Sequence, residues 1–195
     1  MFTPVPFYFL RHGETDWNKL RLMQGQTDTA LNTIGIFQAE AAAQFLAKRK
    51  IATIATSPLR RAKHTTDIIA KQLPNAKVVT LDDLKESNFG SYEGHPSGAW
   101  REEWIRGGEI PGGEYYADFL ERCLSGINKA LENPGPVLII SHGGVFSAVN
   151  KWALDNAGIR AGNCELLALA PPKSAEEGWK LRRLFTPEGL DTAVV

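Results

Sequence analysis

The 195-residue chain is 43% apolar and 23% charged, ordinary proportions for a globular protein, and its length suits one domain over residues 1–195 that needs no disulfide or metal to hold its core. Its 22 Lys and Arg balance 22 Asp and Glu, and this formal charge of zero argues against nucleic acid or an acidic membrane surface as a partner. Cys123 and Cys164 stand outside any CxxC or CxxH pair, which argues against a disulfide framework or structural zinc and fits a reducing, cytoplasmic compartment.

The apolar start of the chain lacks a basic n-region and carries Pro4 and Pro6, so residues 7–10 are expected to form a buried first strand and not a leader. A helix follows from Thr33, its expected N-cap, to Lys48, with Ile34, Phe37, Ala41 and Phe45 at helical spacing on its apolar face. Residues 51–56 read as a second strand. Ser57-Pro58 then resembles an N-cap with proline in the first turn, opening a helix striped by Leu59, Ala62, Thr66, Ile69 and Leu73 and stopped by Pro74-Asn75.

Residues 78–80 form a short strand candidate. Residues 88–113, rich in Gly, Trp and charge, read as a loop region. Leu120, Leu124, Ile127 and Leu131 mark one face of a further helix that ends at Asn133-Pro134-Gly135. The aliphatic run 137–140 is far too short to cross a bilayer and suits a strand buried on both faces. Ser141-His142-Gly143-Gly144 turns from it into a helix with Val145, Val149 and Trp152 on one side. Residues 164–170 and 179–185 flank Pro171-Pro172-Lys173-Ser174 as an antiparallel pair at the edge or end of the sheet. This order predicts an α/β sandwich. In such folds ligands bind beyond the carboxyl ends of the strands, where Arg11-His12 and Ser141-His142 both fall.

Two of the four histidines, His12 and His142, therefore follow buried strands, and each is followed by glycine, which lets backbone approach a ligand. Free N–H groups near helix starts favour an anion there, and Arg11 and Arg61 offer planar forks suited to phosphate oxygens. Two guanidiniums, two imidazoles and exposed amides make an oxyanion cage that requires neither metal nor cofactor. No HxH, HExxH or DxD motif suggests a metal site.

Leu10-Arg11-His12-Gly13-Glu14-Thr15, with Trp17-Asn18 after it, resembles the signature of the histidine phosphatase superfamily, the phosphoglycerate-mutase-like proteins. Ser57-Pro58-Leu59-Arg60-Arg61-Ala62 with Thr65, then Leu84, Glu86, Phe89-Gly90 and Glu93-Gly94, then Ser141-His142-Gly143-Gly144, resemble its further motifs in order. Pro111-Gly112-Gly113-Glu114 and Gln24-Gly25 match weaker patterns of the same family. The resemblance implies a three-layer α/β/α sandwich with a mostly parallel central sheet and a variable cap segment at about 88–113. It also implies phosphoryl transfer to His12 with Glu86 as proton donor and His142 as the second catalytic histidine. Arg11, Arg61, Asn18, Gln24 and Gly143 would bind substrate, with Asn18 and Gln24 equally able to serve as turn caps. Asp82, Asp83 and Glu93 are rivals to Glu86. In the cap segment Trp100, Arg101, Trp104 and Arg106 would either meet the non-phosphate end of the substrate or anchor the loop. His64 and His95 read as surface residues.

The expected activity is hydrolysis of a small-molecule phosphate ester through a phosphohistidine, without metal. Phosphoglycerate mutases resemble the chain at the same motifs but carry Glu-Arg-His-Tyr-Gly where it has Glu86-Ser87-Asn88-Phe89-Gly90, and Gly-Asn where it has Gly143-Gly144. Mutase-type transfer and a catalytically weak phosphate-binding protein are the alternatives. The oligomeric state is left open, a homodimer included.

Overall fold

The computed structural model describes residues 2–174 and 176–187. Alternating strand and helix signals become β1 (Phe7–Arg11), α1 (Asp16–Lys19), α2 (Thr33–Leu46), β2 (Thr53–Thr56), α3 (Arg60–Ala70) and β3 (Lys77–Thr80). Then come α4 (Ala99–Ile105), α5 (Tyr116–Leu131), β4 (Val137–Ser141), α6 (Gly143–Ala153), β5 (Leu166–Ala170) and β6 (Lys180–Phe185). The strands form one sheet in the order β3-β2-β4-β1-β5-β6. The first four run parallel, whereas β5 and β6 pair antiparallel, so the C-terminal hairpin extends the sheet past β1.

Both faces of the sheet are covered, because successive side chains of a strand point to opposite sides. Phe7, Phe9, Val137 and Ile139 belong to a core shared with α5 and α6, while Leu10, Leu138 and Ile140 join α2 and α3 on the other face. The predicted three-layer sandwich with a mostly parallel sheet is therefore the observed architecture. The parallel register places Arg11 beside Ser141, which carries His12 and His142 to the same end of neighbouring strands.

Four local expectations fail for identifiable reasons. In α2 the buried positions are Gly35, Gln38, Ala39, Ala42, Ala43 and Leu46, whereas Ile34 and Phe37 are 54% and 66% exposed. Small alanines let α2 lie close to its neighbours, so bulk is a poor guide to its inner face. Its N-cap is Asn32, whose side chain accepts from Gly35 N–H at 2.8 Å, and not Thr33. At α3 the helix begins at Arg60, beyond Pro58, because the Ser57 hydroxyl accepts from Leu59 N–H at 3.3 Å in a turn outside the helix. In α6, Trp152 is exposed, and Ala148 and Ala153 complete the buried face with Val145 and Val149.

Segment 88–113 is also more than a loop. It holds a short 3₁₀ turn at Gly90–Tyr92 and the helix α4. Trp104 is buried against Phe89, Tyr116 and Phe119 and donates its indole N–H to the Glu114 carbonyl at 2.8 Å. Trp100 stacks on Tyr92 with ring centroids 4.4 Å apart. Both tryptophans thus anchor the segment, one of the two roles open to them.

Candidate active site

At the end of β1 the backbone N–H of His12 donates to the Ser141 carbonyl at 2.9 Å, tying the two strand ends together. The His12 side chain is 2% exposed. Its Nδ1 lies 2.7 Å from the Gly13 carbonyl, which can only accept, so Nδ1 holds the proton and Nε2 keeps a free lone pair. Burial and then the charges of Arg61 and Arg11 hold the imidazole well below its ordinary pKa of 6.5, although the Gly13 contact opposes them. Asn163 donates to the His12 carbonyl at 2.9 Å and fixes the turn from the other side. Gly13 N–H donates to the Thr65 hydroxyl on α3.

His142 is fully buried, with its ring centroid 5.2 Å from that of His12. Its Nε2 pairs with the Ser57 hydroxyl at 2.8 Å, so the serine placed as a helix cap serves the second histidine. Burial, then Arg61, His12 and Arg11, lower the His142 pKa well below 6.5. Among the described residues Arg61 is the largest side chain that is fully buried. It donates to the Gly25 carbonyl at 2.7 Å and the Thr27 carbonyl at 2.9 Å. Burial pulls it down to about 10, against the pull of Glu86, so it stays a cation at neutral pH. Arg11 donates to the Ala161 carbonyl at 3.1 Å. Among the described residues, Arg11 Nε, Arg61 Nε and His142 Nδ1 are each buried without a hydrogen-bond partner. Buried donors of this kind ordinarily meet a partner, and a tetrahedral oxyanion fits the set.

The four acidic candidates separate by what they touch. Asp82 pairs with Lys85 at the surface, and Asp83 is held by Lys129 and Ser125. Glu93 accepts from Gln26 N–H, Thr27 N–H and Phe89 N–H, clamping the loop that in turn clamps Arg61. Glu86 alone of the four lines the cleft beside Arg11. Its Oε2 accepts from Gly144 N–H at 3.0 Å, at the start of α6, and its Oε1 from Ser87 N–H at 3.0 Å. That position depends on glycine: a Cβ at residue 144 would stand 2.0 Å from Glu86 Oε1. Arg122 holds the segment before it by donating to the carbonyls of Asp83, Lys85 and Glu86, and Glu114 fixes Arg122 at 2.6 Å.

Gly143 lines the same cleft. The amide oxygens of Asn18 and Gln24 are taken up in turns, and Asn18 Oδ1 also accepts from Asn163, which donates to the His12 carbonyl. Asn18 Oδ1 accepts from Thr15 N–H in the capping box of α1, and Gln24 Oε1 accepts from the Thr29 hydroxyl. His95 is exposed and His64 half-buried, and neither lines the cleft. Sequence reasoning missed Ser57's contact with His142, Arg122, and Arg160, which lines the cleft. The serine stood inside a recognised motif, whereas no local pattern marks Arg122 or Arg160. A larger apolar pocket, about 540 Å³, lies at the opposite strand ends beside Phe7 and Val137 and holds none of these groups. Among the described residues no three His, Cys, Asp or Glu side chains gather as a metal site.

A buried neutral imidazole with one free nitrogen, two guanidiniums and a helix start suit in-line attack on a phosphoryl group, and a carboxyl stands beside them to move protons. A sequence profile of the histidine phosphatase superfamily (branch 1) matches residues 7–186. A Bacillus subtilis (strain 168) protein named uncharacterized phosphatase PhoE is 33% identical over 177 residues, covering 89% of this chain and 90% of its own. A probable phosphoglycerate mutase, GpmB, of Yersinia enterocolitica is 38% identical over 148 residues, covering 70% of this chain and 68% of its own. The solved structure of a mycobacterial glucosyl-3-phosphoglycerate phosphatase complexed with VO3 is 28% identical, with a TM-score of 0.75. It covers 91% of this chain and 97% of that one.

Proposed function

The chain belongs to the histidine phosphatase superfamily and is a phosphoric monoester hydrolase, and from that premise we propose that it works through a phosphohistidine on His12, without a metal, on a small phosphorylated metabolite. The observation that carries this reading is the Nδ1–Gly13 hydrogen bond, which leaves His12 Nε2 as a buried, unprotonated nucleophile between two cations.

In the first step His12 Nε2 forms a bond to phosphorus while the bond to the ester oxygen breaks. Glu86 delivers a proton to that oxygen, and the alcohol leaves. Arg11, Arg61, His142 and the start of α6 hold the equatorial oxygens, where charge is spread in the transition state. In the second step water attacks the phosphohistidine and passes a proton to Glu86. Inorganic phosphate and the starting histidine are regenerated. The guanidiniums supply the positive charge that a divalent ion would otherwise bring, which is why the reading needs no metal. Segment 88–113 is the cap over the leaving group, within one domain. The free, buried thiols of Cys123 and Cys164 fit a cytoplasmic setting.

Mutase-type transfer is the second reading, favoured by the likeness to a probable phosphoglycerate mutase. Two features weigh against it. Phe89, at the position of the mutase tyrosine, lines the cleft with a ring that offers no hydroxyl. Glu86 also occupies space that any side chain at residue 144 would need, where the mutases carry asparagine.

The experiment is hydrolysis of p-nitrophenyl phosphate in excess EDTA by the natural chain and by His12→Ala, with base-quenched intact mass to trap the phosphoenzyme. Activity that survives EDTA, with one phosphoryl mass on the natural chain and none on the variant, is expected. Loss of activity in EDTA, or full activity in His12→Ala, would overturn the mechanism. A trapped phosphoryl group that passes to 3-phosphoglycerate and not to water would favour the mutase reading.

A further inference from the structure

Ser57 follows β2, and its backbone N–H donates to the Ile140 carbonyl of β4 at 3.2 Å, so the strand that delivers His142 also fixes Ser57. The Ser57 hydroxyl is fully buried and meets two partners among the described residues. Leu59 N–H donates to it at 3.3 Å, and His142 Nε2 stands 2.8 Å away. A hydroxyl has one proton and two lone pairs, and Leu59 takes up one of the lone pairs. The group that remains to face His142, proton or lone pair, decides which ring nitrogen carries the imidazole's own proton.

The two arrangements are not equivalent. If Nε2–H donated to Ser57, the hydroxyl proton would have no acceptor among the described residues, in a place closed to water. Nδ1, buried without a hydrogen-bond partner among the same residues, would then present a lone pair to any anion in the site. If the hydroxyl donates to Nε2, the pair is satisfied and Nδ1–H is left as a donor for that anion. Burial and the nearby cations keep the ring neutral, so one of the two tautomers must hold. His12, with its ring centroid 5.2 Å away, puts the same tautomer to the opposite use. There the Gly13 carbonyl takes Nδ1–H and leaves a lone pair; at His142 the Ser57 hydroxyl takes the lone pair and leaves a proton.

We infer that Ser57 is a positioning residue whose hydroxyl donates to His142 Nε2, holding the neutral ring as the Nδ1–H tautomer that offers its proton to a phosphoryl oxygen. The inference rests on the phosphatase reading for the identity of that oxygen. Arg11 and Arg61 supply charge to the site, whereas His142 supplies direction: a neutral donor fixed in advance needs no proton uptake before the reaction. A carboxylate in place of Ser57 would favour the charged ring. An alanine there would leave the ring to its intrinsic preference, which is for Nε2–H, and the lone pair on Nδ1 would repel the anion.

The test is a long-range proton–nitrogen NMR correlation on the chain with isotope-labelled histidines at neutral pH, His142 being assigned by its loss in His142→Ala. The shifts of the two ring nitrogens show directly which one is protonated. His142 should be Nδ1–H in the natural chain, and in Ser57→Ala its signals should move towards Nε2–H. Calorimetric affinity for inorganic phosphate should fall by roughly 3- to 10-fold in Ser57→Ala, the worth of one neutral hydrogen bond. That loss should largely vanish when the same substitution is made in His142→Ala, because Ser57 acts through the ring. An Nε2–H or charged His142 in the natural chain, or an Nδ1–H ring that survives in Ser57→Ala, would overturn the inference. So would an equal loss of phosphate affinity in both backgrounds, the mark of a merely structural serine. The spectrum of the natural chain depends on no variant and no substrate. The expected tautomer in a chain that binds no phosphate would overturn the phosphatase reading alone.

Discussion

The inner half of the candidate site, buried behind the cleft, and the outer half, which lines it, are built differently. In the inner half His12, Arg61 and His142 are buried, and each is pinned by a hydrogen bond: His12 to the Gly13 carbonyl, Arg61 to those of Gly25 and Thr27, His142 to Ser57. The outer half holds Glu86, the half-buried Arg101 and the exposed Arg160, set on turns and a seven-residue helix. Donors fixed in advance cost no reorganisation when charge develops on the phosphoryl group, so rigidity helps where the chemistry is constant. Loops above a rigid scaffold are where a binding site is adapted to its ligand. Substitutions in the inner half should therefore reduce turnover of every ester, and those in the outer half should change which ester is turned over.

The largest effect is expected from Arg61→Lys. An ammonium on a flexible stem cannot hold the Gly25 and Thr27 carbonyls and face the phosphoryl group together. Loss of one such donor should cost about 10²- to 10³-fold in kcat/KM, equally for aryl and alkyl phosphates. A variant within a few-fold of the natural rate would show that the inner half is not the phosphoryl site.

Gly144→Ala probes the border between the halves. Its Cβ would displace the Glu86 carboxyl from the Gly144 N–H, while Phe119 Cζ, at 3.0 Å, has only to give slightly. Alkyl phosphates, whose poor leaving groups need a proton, should slow by about 10²-fold. p-Nitrophenyl phosphate, whose leaving phenolate is stable without one, should slow far less. Equal losses on both would mean that Glu86 is not the proton donor.

Arg122→Gln should have a smaller effect of the same kind. It removes charge-assisted bonds to the Lys85 and Glu86 carbonyls and leaves Glu86 itself in place. About a 10-fold loss in kcat on alkyl phosphates, with KM little changed, is expected for a residue that positions the donor. A pure KM effect would assign Arg122 to substrate binding.

The same division explains what could be read from the sequence. The strands around the site are short aliphatic runs that end in Arg11-His12 and Ser141-His142, so both their burial and their common end were legible. Glu86 could not be told from Asp82, Asp83 and Glu93 by residue type, since what separates them is the carbonyl or amide each one meets in space. The inner face of α2 was misread because large apolar side chains outweighed alanines, and close helix packing uses the alanines. Arg160 lies in an irregular stretch with no periodic signal, and only the docking of Ala161 onto Arg11 brings it to the cleft.

The smallest effect should appear in stability against pH, and it belongs to the inner half alone. His12 and His142 are both held well below 6.5 by burial and by neighbouring cations. In the unfolded chain each would take up a proton near pH 6.5, whereas in the folded chain each stays neutral to lower pH. Below 6.5 unfolding therefore draws in protons. The stability tied to the neutral pair is fully present above pH 6.5 and is lost as pH falls from there towards the folded values. The melting temperature should decline through this window, and the decline should be shallower in His142→Gln, which keeps a partner for Ser57 and cannot charge. For the same reason kcat/KM on p-nitrophenyl phosphate should show no acid limb centred at 6.5, because the nucleophile is still unprotonated there. A limb at that pH, together with a melting temperature indifferent to it, would place His12 in contact with water and remove the contrast between the two halves.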